Sequence, residues 1–370
     1  MSEKDLGSLS QWQLTKIRFV RHKIAVASLL FLVAMYCVAL FAPFVAPNSQ
    51  TWRDVEYSNC PPMLPRFSFK DGLHVKAMVQ KTHPITLKRY YETKTDTAVP
   101  LGFFVKGEPY KLLGFIPLER RLIAADTEEV KEKGIPLSYA RFYLLGADRF
   151  GHDVFSRILL GSQISLSIGL IAIAFNFAFG ISIGGASGYF GGKTDVVVQR
   201  LIEILNSFPH IPLWLAMAAV IPISWGPLQT YFGITIMLSL LTWTNLARVV
   251  RGKILSLREE DYAVAARLLG ASHERVLFRH LIPGFTSHII VALTLSVPYM
   301  IIGETALSFL GLGLRPPVVS WGVMLQDCIN MQIVANYPWL LMPVIMITTT
   351  VLAFNFLGDG LRDAADPHAS

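Results

Sequence analysis

Long apolar segments alternate with polar, charged segments along this chain. No Asp, Glu, Lys or Arg occurs at residues 24–52, 158–192, 204–247, 280–303 or 328–358. A membrane-spanning helix needs about 20 mostly apolar residues, and the stretch 204–247 is long enough for two. The pattern predicts six spans, at about 24–45, 163–185, 201–221, 232–249, 287–310 and 339–357, with a break between the third and fourth at residues 222–227.

The polar segment at residues 47–157 is too long for a plain connection, so we expect a small extramembrane domain, built from short strands and turns. It has 15 basic and 11 acidic residues between positions 51 and 141. These charges are too evenly balanced for a surface that carries mainly one sign of charge. We therefore expect the segment to bind protein rather than nucleic acid or lipid headgroups; a tolerated insertion without a role is the alternative.

Composition narrows the class of protein. Hydrophobic residues make up 52% of the 370 residues, charged residues only 16%, and the mean hydropathy is +0.46. Soluble domains carry about 25% charged residues. An ordinary soluble enzyme, a disordered chain and a disulfide scaffold are therefore disfavoured. Cys37, Cys60 and Cys328 have no metal-ligand spacing, and whether the last two are bridged stays open. We expect no metal and no cofactor.

The net charge of +7 comes from basic residues that flank the apolar runs, as membrane orientation requires. With the N-terminus in the cytoplasm, cytoplasmic segments hold 15 basic residues and the short outer loops hold only Arg315. This satisfies the positive-inside rule, from which long segments such as 47–157 are exempt. The first apolar run, of about 22 residues, exceeds a signal peptide's 7–15. We predict an uncleaved first span and both termini in the cytoplasm.

The cytoplasmic loop at residues 250–284 has the pattern of two helices around a glycine. Acidic residues 259–261 precede an alanine-rich stretch, where carboxylates favour a helix start. Gly270 can close that helix, and Ser272 can cap a second one. The alternative from these features alone is an amphipathic loop on the membrane surface.

The order of residues in this loop resembles the EAA loop of ABC importer permeases. The segment 262–272 (YAVAARLLGAS) and the segment 279–283 (RHLIP) carry the resemblance. Val264 stands where the family often has Glu, and His280 where it has Ile. The resemblance implies that this loop couples the spans to a cytoplasmic ATPase. Its candidate coupling residues are Glu260, Tyr262, Ala265, Ala266, Gly270, Ala271, His280 and Pro283.

Four further motifs resemble the C-type permeases of dipeptide and oligopeptide ABC importers. They lie at 145–157 (LGADRFGHDVFSR), 188–195 (GYFGGKTD), 303–317 (GETALSFLGLGLRPP) and 357–363 (LGDGLRD). The enlarged segment after the first span resembles the permease of microcin C and Yej-type peptide importers.

The resemblance implies an all-α integral membrane protein with the six-helix, type I importer permease (MetI-like) fold. Its parts would be a cytoplasmic N-terminus and first span (1–46), a periplasmic segment (47–157), a permease core (158–358) and a cytoplasmic tail (359–370). It further implies peptide import across the bacterial inner membrane by alternating access. The implied partners are a second, B-type permease subunit, ABC ATPase subunits and a periplasmic substrate-binding protein. Nickel or glycosides are alternative substrates within the family.

Several residues are candidates for a gate or pathway. Glu304 follows a long charge-free stretch, and it either belongs to a pathway or lies near the membrane interface. Asp148, Asp153 and Arg157, with Arg149, either form an ion-pair cluster at an outer gate or begin a solvated helix. Asn176 and Asn245 either bond across helices or line a pathway.

Three other functions are disfavoured. Gly192-Lys193-Thr194 lacks the earlier glycine of a P-loop, since Ser187 occupies that position, so we expect no ATP hydrolysis by this chain. An intramembrane hydrolase would need H-E-x-x-H or a nucleophile with a base, and neither is evident. A self-contained secondary transporter predicts inverted repeats and more ionisable residues in the spans.

Overall fold

The computed structural model of the chain describes residues 11–85, 87 and 89–365. Its α-helices there are, in chain order, α1 (Gln11–Arg21), α2 (Lys23–Leu40), α3 (Ala42–Val45), α4 (Thr127–Glu132), α5 (Val154–Phe190), α6 (Gly192–Ser207), α7 (His210–Ala218), α8 (Pro227–Leu257), α9 (Asp261–Leu268), α10 (His273–Arg275), α11 (Thr286–Phe309), α12 (Trp321–Met324), α13 (Met331–Asn336) and α14 (Met342–Ala365). Strands β1 (Arg66–Ser68), β2 (Gly72–Thr82), β3 (Arg89–Leu112) and β4 (Ile116–Ala125) lie between α3 and α4.

Five helical stretches of the described chain are long and apolar enough to cross a membrane. They are Lys23–Leu40, Val154–Phe190, Pro227–Leu257, His273–Phe309 and Pro338–Ala365. They coincide with the predicted spans one, two, four, five and six. The chain reaches six spans if α6 and α7, which meet at an angle of 84°, together form one.

The third predicted span, at 201–221, is therefore not one continuous helix. Phe208, at the end of α6, has φ −89° and ψ 137°, and Pro209 has φ −60° and ψ 127°. A residue before proline is pushed out of the helical region by the proline ring. The bend falls at this dipeptide. The break predicted between the third and fourth spans at 222–227 lies between α7 and α8.

The segment after the first span contains one antiparallel sheet with strand order β1-β2-β3-β4. The prediction of strands and turns is correct in kind but wrong in length, because β3 alone has 24 residues. β3 pairs with β2 through its first half and with β4 through its second half. Register shifts after Lys76 and Lys106 interrupt the two hairpins. A core around Tyr57, Val75 and Tyr143 underlies the sheet.

The chain divides into two compact units. The helical unit comprises the described residues up to Ala34, Ser167–Leu307 and those from Ile347 onward, and the sheet unit comprises Met35–Leu166 and Ser308–Met346. Cys60 is buried in the sheet unit and Cys328 is half-buried there, and both are free thiols. The possible bridge between them is absent.

Candidate functional site

A helix, a glycine turn and a second helix connect α8 to α11 in the helical unit. Gly270 closes α9 in a left-handed conformation, with φ +82°. Its amide donates to the Arg267 carbonyl at 3.0 Å, and the Ala271 amide donates to the Ala266 carbonyl at 3.1 Å. These two bonds define a Schellman motif. Glu260 occupies the N-cap position of α9, although its side chain makes no capping bond.

The second helix begins with a side-chain cap, as its sequence predicts. The Ser272 hydroxyl accepts from the Arg275 amide at 3.3 Å. The chain continues as a π-helical turn at Val276–Leu281 and a 3₁₀ turn at Ile282–Phe285, with Pro283 in its first turn. It then enters α11 directly. We call residues 260–285 the loop element.

One face of the loop element is fixed by apolar packing. Ala263, Val276 and Leu281 are fully buried in one cluster with residues of α5 and α8. Ala266 and Ala271 pack against the same cluster. A buried core residue of this size contributes about 1–3 kcal/mol, so the element is a firm attachment and not a loose loop.

The other face of the loop element is open. Of the residues predicted from sequence, Glu260, Tyr262, Ala265, Gly270 and Pro283 are exposed, and His280 is half-buried.

Sequence reasoning missed three exposed apolar side chains on this face. Leu268 is 82% exposed, Leu269 is 88% exposed and Phe278 is 52% exposed. The signal for them was available, because adjacent leucines at the end of a one-sided helix cannot both face the core. Leu268 and Leu269 adjoin each other in the chain, and adjoining exposed apolar side chains mark interaction sites, so this face is a candidate docking surface.

An ion pair holds the base of the loop element. Arg251 on α8 contacts Asp195 on α6 through Nε to Oδ1 at 2.5 Å and Nη2 to Oδ2 at 2.6 Å. Arg258, one residue after α8, donates to the carbonyls of Gly188 and Tyr189 at 3.0 and 3.2 Å. Bidentate guanidinium–carboxylate pairs fix geometry as well as charge. They orient α8 just before the loop element begins.

A row of glycines lets α5 and α8 approach closely at the same place. Gly180, Gly184 and Gly188 recur every four residues along one face of α5. A Cβ added at Gly184 would lie 2.6 Å from the Cα of Ala247, and one at Gly188 would lie 2.8 Å from the carbonyl oxygen of Arg251. Small residues at this spacing allow backbone-to-backbone packing in membranes.

In the sheet unit, the motif at 145–157 builds a compact polar centre. Asp148 is buried and contacts both Arg157 and the Nδ1 of His152, the latter at 2.8 Å. Its Oδ1 also accepts from the amides of Phe150 and His152. Burial alone would raise the pKa of Asp148, but the bond from His152 and the charge of Arg157 outweigh burial and lower its pKa. The ion pair suggested by the sequence is present for Asp148 and Arg157.

Asp153 has a different environment, although it lies in the same motif. It is buried and makes no ion pair among the described residues. Instead it caps α5, accepting from the amides of Phe155 and Ser156 at 3.1 and 3.2 Å and from the Asn48 amide group at 3.2 Å. Burial raises its pKa to about 6 although the bonds from Ser156 and Asn48 oppose that rise. The solvated helix start, one of the two alternatives that the sequence left open, does not hold for Asp153, which is buried.

Two contacts join this motif to the segment between α11 and α14. Arg149 Nε lies 2.9 Å from Asp327 Oδ1, and Trp339 Nε1 donates to the Ala147 carbonyl at 3.0 Å. Burial raises the pKa of Asp327, while Arg149 opposes that rise. Sequence reasoning did not identify Asp327, because its partner is 178 residues away in the chain.

The fourth candidate, Glu304, lies in the helical unit, where it is fully buried on α11. A cavity of about 660 Å³ in the same unit is lined mostly by apolar side chains, together with Asn176 and Asn245. Asn176 Oδ1 also accepts from the Thr242 hydroxyl at 2.8 Å. Asn176 thus bonds across helices and lines a cavity.

Comparisons with known proteins bear on these features. Residues 176–370 match the family model described as binding-protein-dependent transport system inner membrane component. Residues 10–62 match the N-terminal TM domain of oligopeptide transport permease C. The chain belongs to the first family. Its sheet lies between the two matched segments, and the loop element lies inside the first match.

Individual members of this family are similar over most of their length. The oligopeptide transport system permease protein OppC of Bacillus subtilis (strain 168) is 39% identical over 60% of this chain and 70% of its own. The dipeptide transport system permease protein DppC of that organism is 37% identical over 65% and 72%. The glutathione transport system permease protein GsiD of Pectobacterium atrosepticum is 38% identical over 60% and 72%.

Among solved structures, an inward-facing MetNI methionine ABC transporter chain covers 57% of this chain and 97% of its own. Its TM-score is 0.44 and its sequence identity 18%.

The Gly192-Lys193-Thr194 sequence of this family member opens a helix that follows another helix. α5 ends at Phe190 and α6 begins at Gly192. A P-loop directly follows a strand, whereas the element directly before this tripeptide is helix α5.

Proposed function

We propose that this chain is the permease subunit of an ABC importer that moves peptides across the bacterial inner membrane by alternating access. ATP hydrolysis would belong to separate cytoplasmic ATPase subunits. A second, B-type permease subunit and a periplasmic substrate-binding protein would complete the assembly. Membership of a binding-protein-dependent transport family supports this assignment.

The observation that carries the proposal is the two-sided loop element. Its inner face packs on α5 and α8, so a force on the element moves those helices as a unit. Its outer face presents Tyr262, Leu268, Leu269 and Phe278 to solvent. This combination suits a part that docks in a groove of another protein and transmits movement. The Schellman turn at Gly270 fixes the angle between its two helices.

The proposed substrate class rests on the relatives. The three relatives named above are described as permease proteins of oligopeptide, dipeptide and glutathione transport systems. All three are short peptides or peptide-like molecules, and we extend that class to this chain.

We further propose that both termini and the loop element are cytoplasmic and that the sheet is periplasmic. The distribution of basic residues supports this orientation. Asp148, Asp153 and Arg157 would then organise the outer face at the start of α5, and Glu304 would lie on the buried side of α11. The sheet would contact the partner permease or the binding protein.

Purification from native membranes tests the proposal. The affinity-tagged chain should recover an ABC ATPase, a second permease and a binding protein, identified by mass spectrometry. Leu269→Asp should reduce ATPase recovery several-fold, because it places a charge on the docking face without touching the core. Leu64→Asp, a change at a 70% exposed leucine of the sheet unit, is the matched control and should recover the ATPase normally. Recovery without any ATPase would refute the assignment.

A further inference from the structure

The sheet unit contains a pocket of about 370 Å³ that none of the functions above uses. Its walls come from the chain that follows α3, the β3–β4 hairpin and the segment before α5. Trp52 and Phe142 supply aromatic surface, and Lys106, Arg121 and Arg141 supply positive charge against the single carboxylate of Glu108. The lining is therefore partly apolar and carries an excess of positive charge.

Arg121 is the unusual member of this lining, because it is only 1% exposed. Its Nη1 donates to the carbonyls of Pro43 and Ala46 at 2.6 and 3.3 Å, and its Nη2 donates to the Glu108 carbonyl at 3.3 Å. The guanidinium also lies 4.4 Å from the ring centre of Tyr110. All of these partners are neutral groups.

The Arg121 guanidinium makes no ion-pair contact with any residue that the structure describes, although the charge of Glu108 acts on it from nearby. Its Nε has no hydrogen-bond acceptor there either. A buried charge is costly unless it is paired. Burial accordingly lowers the pKa of Arg121, while Tyr110 and Glu108 oppose that effect. A negative group in the pocket would supply the missing counter-charge.

The other charges of the pocket are already engaged. Arg141 Nε lies 2.7 Å from Asp54 Oδ2, and the Glu108 carboxylate accepts from the Ser49 hydroxyl. Lys106 lies 3.5 Å from Glu119, but its side chain is 71% exposed, so it remains free to turn toward a ligand. The pocket thus combines a buried fixed cation with a mobile cation at its rim.

The backbone around Arg121 is shaped to admit its side chain. A Cβ at Gly107, across the hairpin, would lie 2.9 Å from the Cγ of Arg121. A larger residue at position 107 would therefore displace the arginine.

The pocket lies beside the end of the first span. Pro43 and Ala46, which accept from Arg121, belong to or adjoin α3, directly after α2. Ala42 and Ala46 pack against Leu159 and Leu160 near the start of α5. The ends of two candidate spans therefore lie next to Arg121. Phe44, next to Pro43, contacts Phe104 of β3, with ring centroids 6.0 Å apart.

We propose that this pocket binds an oxyanion, a phosphate or carboxylate group, with Arg121 as its buried counter-charge and Lys106 at its rim. Two sources can supply that group: the headgroup of an anionic phospholipid, or a soluble anion. Because the charges of the polar segment at residues 47–157 nearly balance, its surface as a whole should not attract anionic headgroups by charge alone. A single pocket around one buried cation needs no such surface.

The test uses the full-length chain purified in detergent and two probes. Native mass spectrometry measures the retention of added phosphatidylglycerol. Thermal-shift titration measures the response to inorganic phosphate against sodium chloride of equal ionic strength. Arg121→Gln should reduce binding in the responding arm at least tenfold, and Arg120→Gln, on the neighbouring exposed arginine of β4, should not.

If Arg121→Gln does not fold, Lys106→Gln still tests the proposal, because the Lys106 side chain is mostly in solvent and its replacement should not disturb folding. It should weaken binding several-fold, while Lys111→Gln on the same strand should have no effect. A response confined to phosphatidylglycerol identifies the lipid as the source, and a response to free phosphate identifies a soluble anion. Failure of wild-type protein to bind either probe, or equal binding by Lys106→Gln and wild type, overturns the proposal.

Discussion

Asp148 and Asp153 lie five residues apart, yet their surroundings move their pKa values in opposite directions. Asp148 has a lowered pKa because His152 and Arg157 stabilise its charge. Asp153 has a raised pKa because it is buried and its partners are neutral. The spacing of the motif revealed the charged residues but not this difference, because the partners of Asp153 include Asn48, 105 positions away.

The raised pKa of Asp153 predicts a pH-dependent loss of stability. Its unfolded pKa is about 3.9 and its folded pKa about 6, so the folded state holds the proton more tightly. Stability should fall as pH rises from about 4 to about 6, by on the order of 2–3 kcal/mol, and stay level above that. Asp148 has a lowered pKa, so its contribution to the stability of the folded state is lost only as pH falls below about 4.

The measurement is the thermal midpoint of detergent-solubilised protein at several pH values. Asp153→Asn should remove the fall in the thermal midpoint between about pH 4 and pH 6. Asp96→Asn, at an exposed carboxylate of β3, should leave that fall intact. An identical slope in the Asp153→Asn variant would contradict the assignment.

Gly270 predicts a second effect at the level of one residue. A Cβ there would meet nothing within 4 Å, so only its φ of +82° opposes a side chain. Gly270→Val should strain the turn by about 1–2 kcal/mol and weaken ATPase recovery several-fold, whereas Gly270→Asn, which tolerates this conformation, should be milder. Gly252→Ala is the control, since Gly252 is equally open but has no left-handed φ. Equal ATPase recovery for all three variants would argue against a coupling turn.

At the scale of elements, local signals predicted the helices of the loop element well. An acidic start, an alanine-rich run, Gly270 and the Ser272 cap each act within one helical turn. The bend between α6 and α7 was also encoded locally, by Phe208-Pro209, but an apolar run without charges concealed it.

The sheet was less predictable. β3 contains Pro100 and Gly102 and carries Phe104 at φ +57°, all of which normally interrupt a strand. Only pairing with β2 and then with β4 makes this stretch continuous, and a single sequence does not reveal those partners.

The close packing of α5 on α8 gives a prediction for an element interface. Gly184→Leu should force the two helices apart, because its Cβ would overlap the Ala247 backbone. Overpacking of this kind costs about 1–3 kcal/mol or more. The thermal midpoint and the monodisperse fraction in detergent should fall. Gly252→Leu adds the same side chain on an exposed, open face of α8 and should change neither. A tolerated Gly184→Leu would show that the helices are not in this contact.

At the scale of the whole molecule, the charge pattern predicts which segments share a compartment. Asp96, in β3, and Glu274, in the loop element, are both exposed, so each position suits a single engineered cysteine. In a background without Cys37, Cys60 and Cys328, a membrane-impermeant thiol reagent should label Asp96→Cys in intact cells. It should label Glu274→Cys only after the membrane is opened. The reverse pattern would invert the proposed orientation.

The most direct test of the central claim is uptake of a labelled short peptide into proteoliposomes that contain the complex purified through this chain. We predict uptake that requires ATP on the side of the loop element and the binding protein on the opposite side. Gly270→Val should reduce it and Gly252→Ala should not. Peptide uptake that an ion gradient drives through this chain alone, without ATP or an ATPase subunit, would contradict the assignment to an ABC importer.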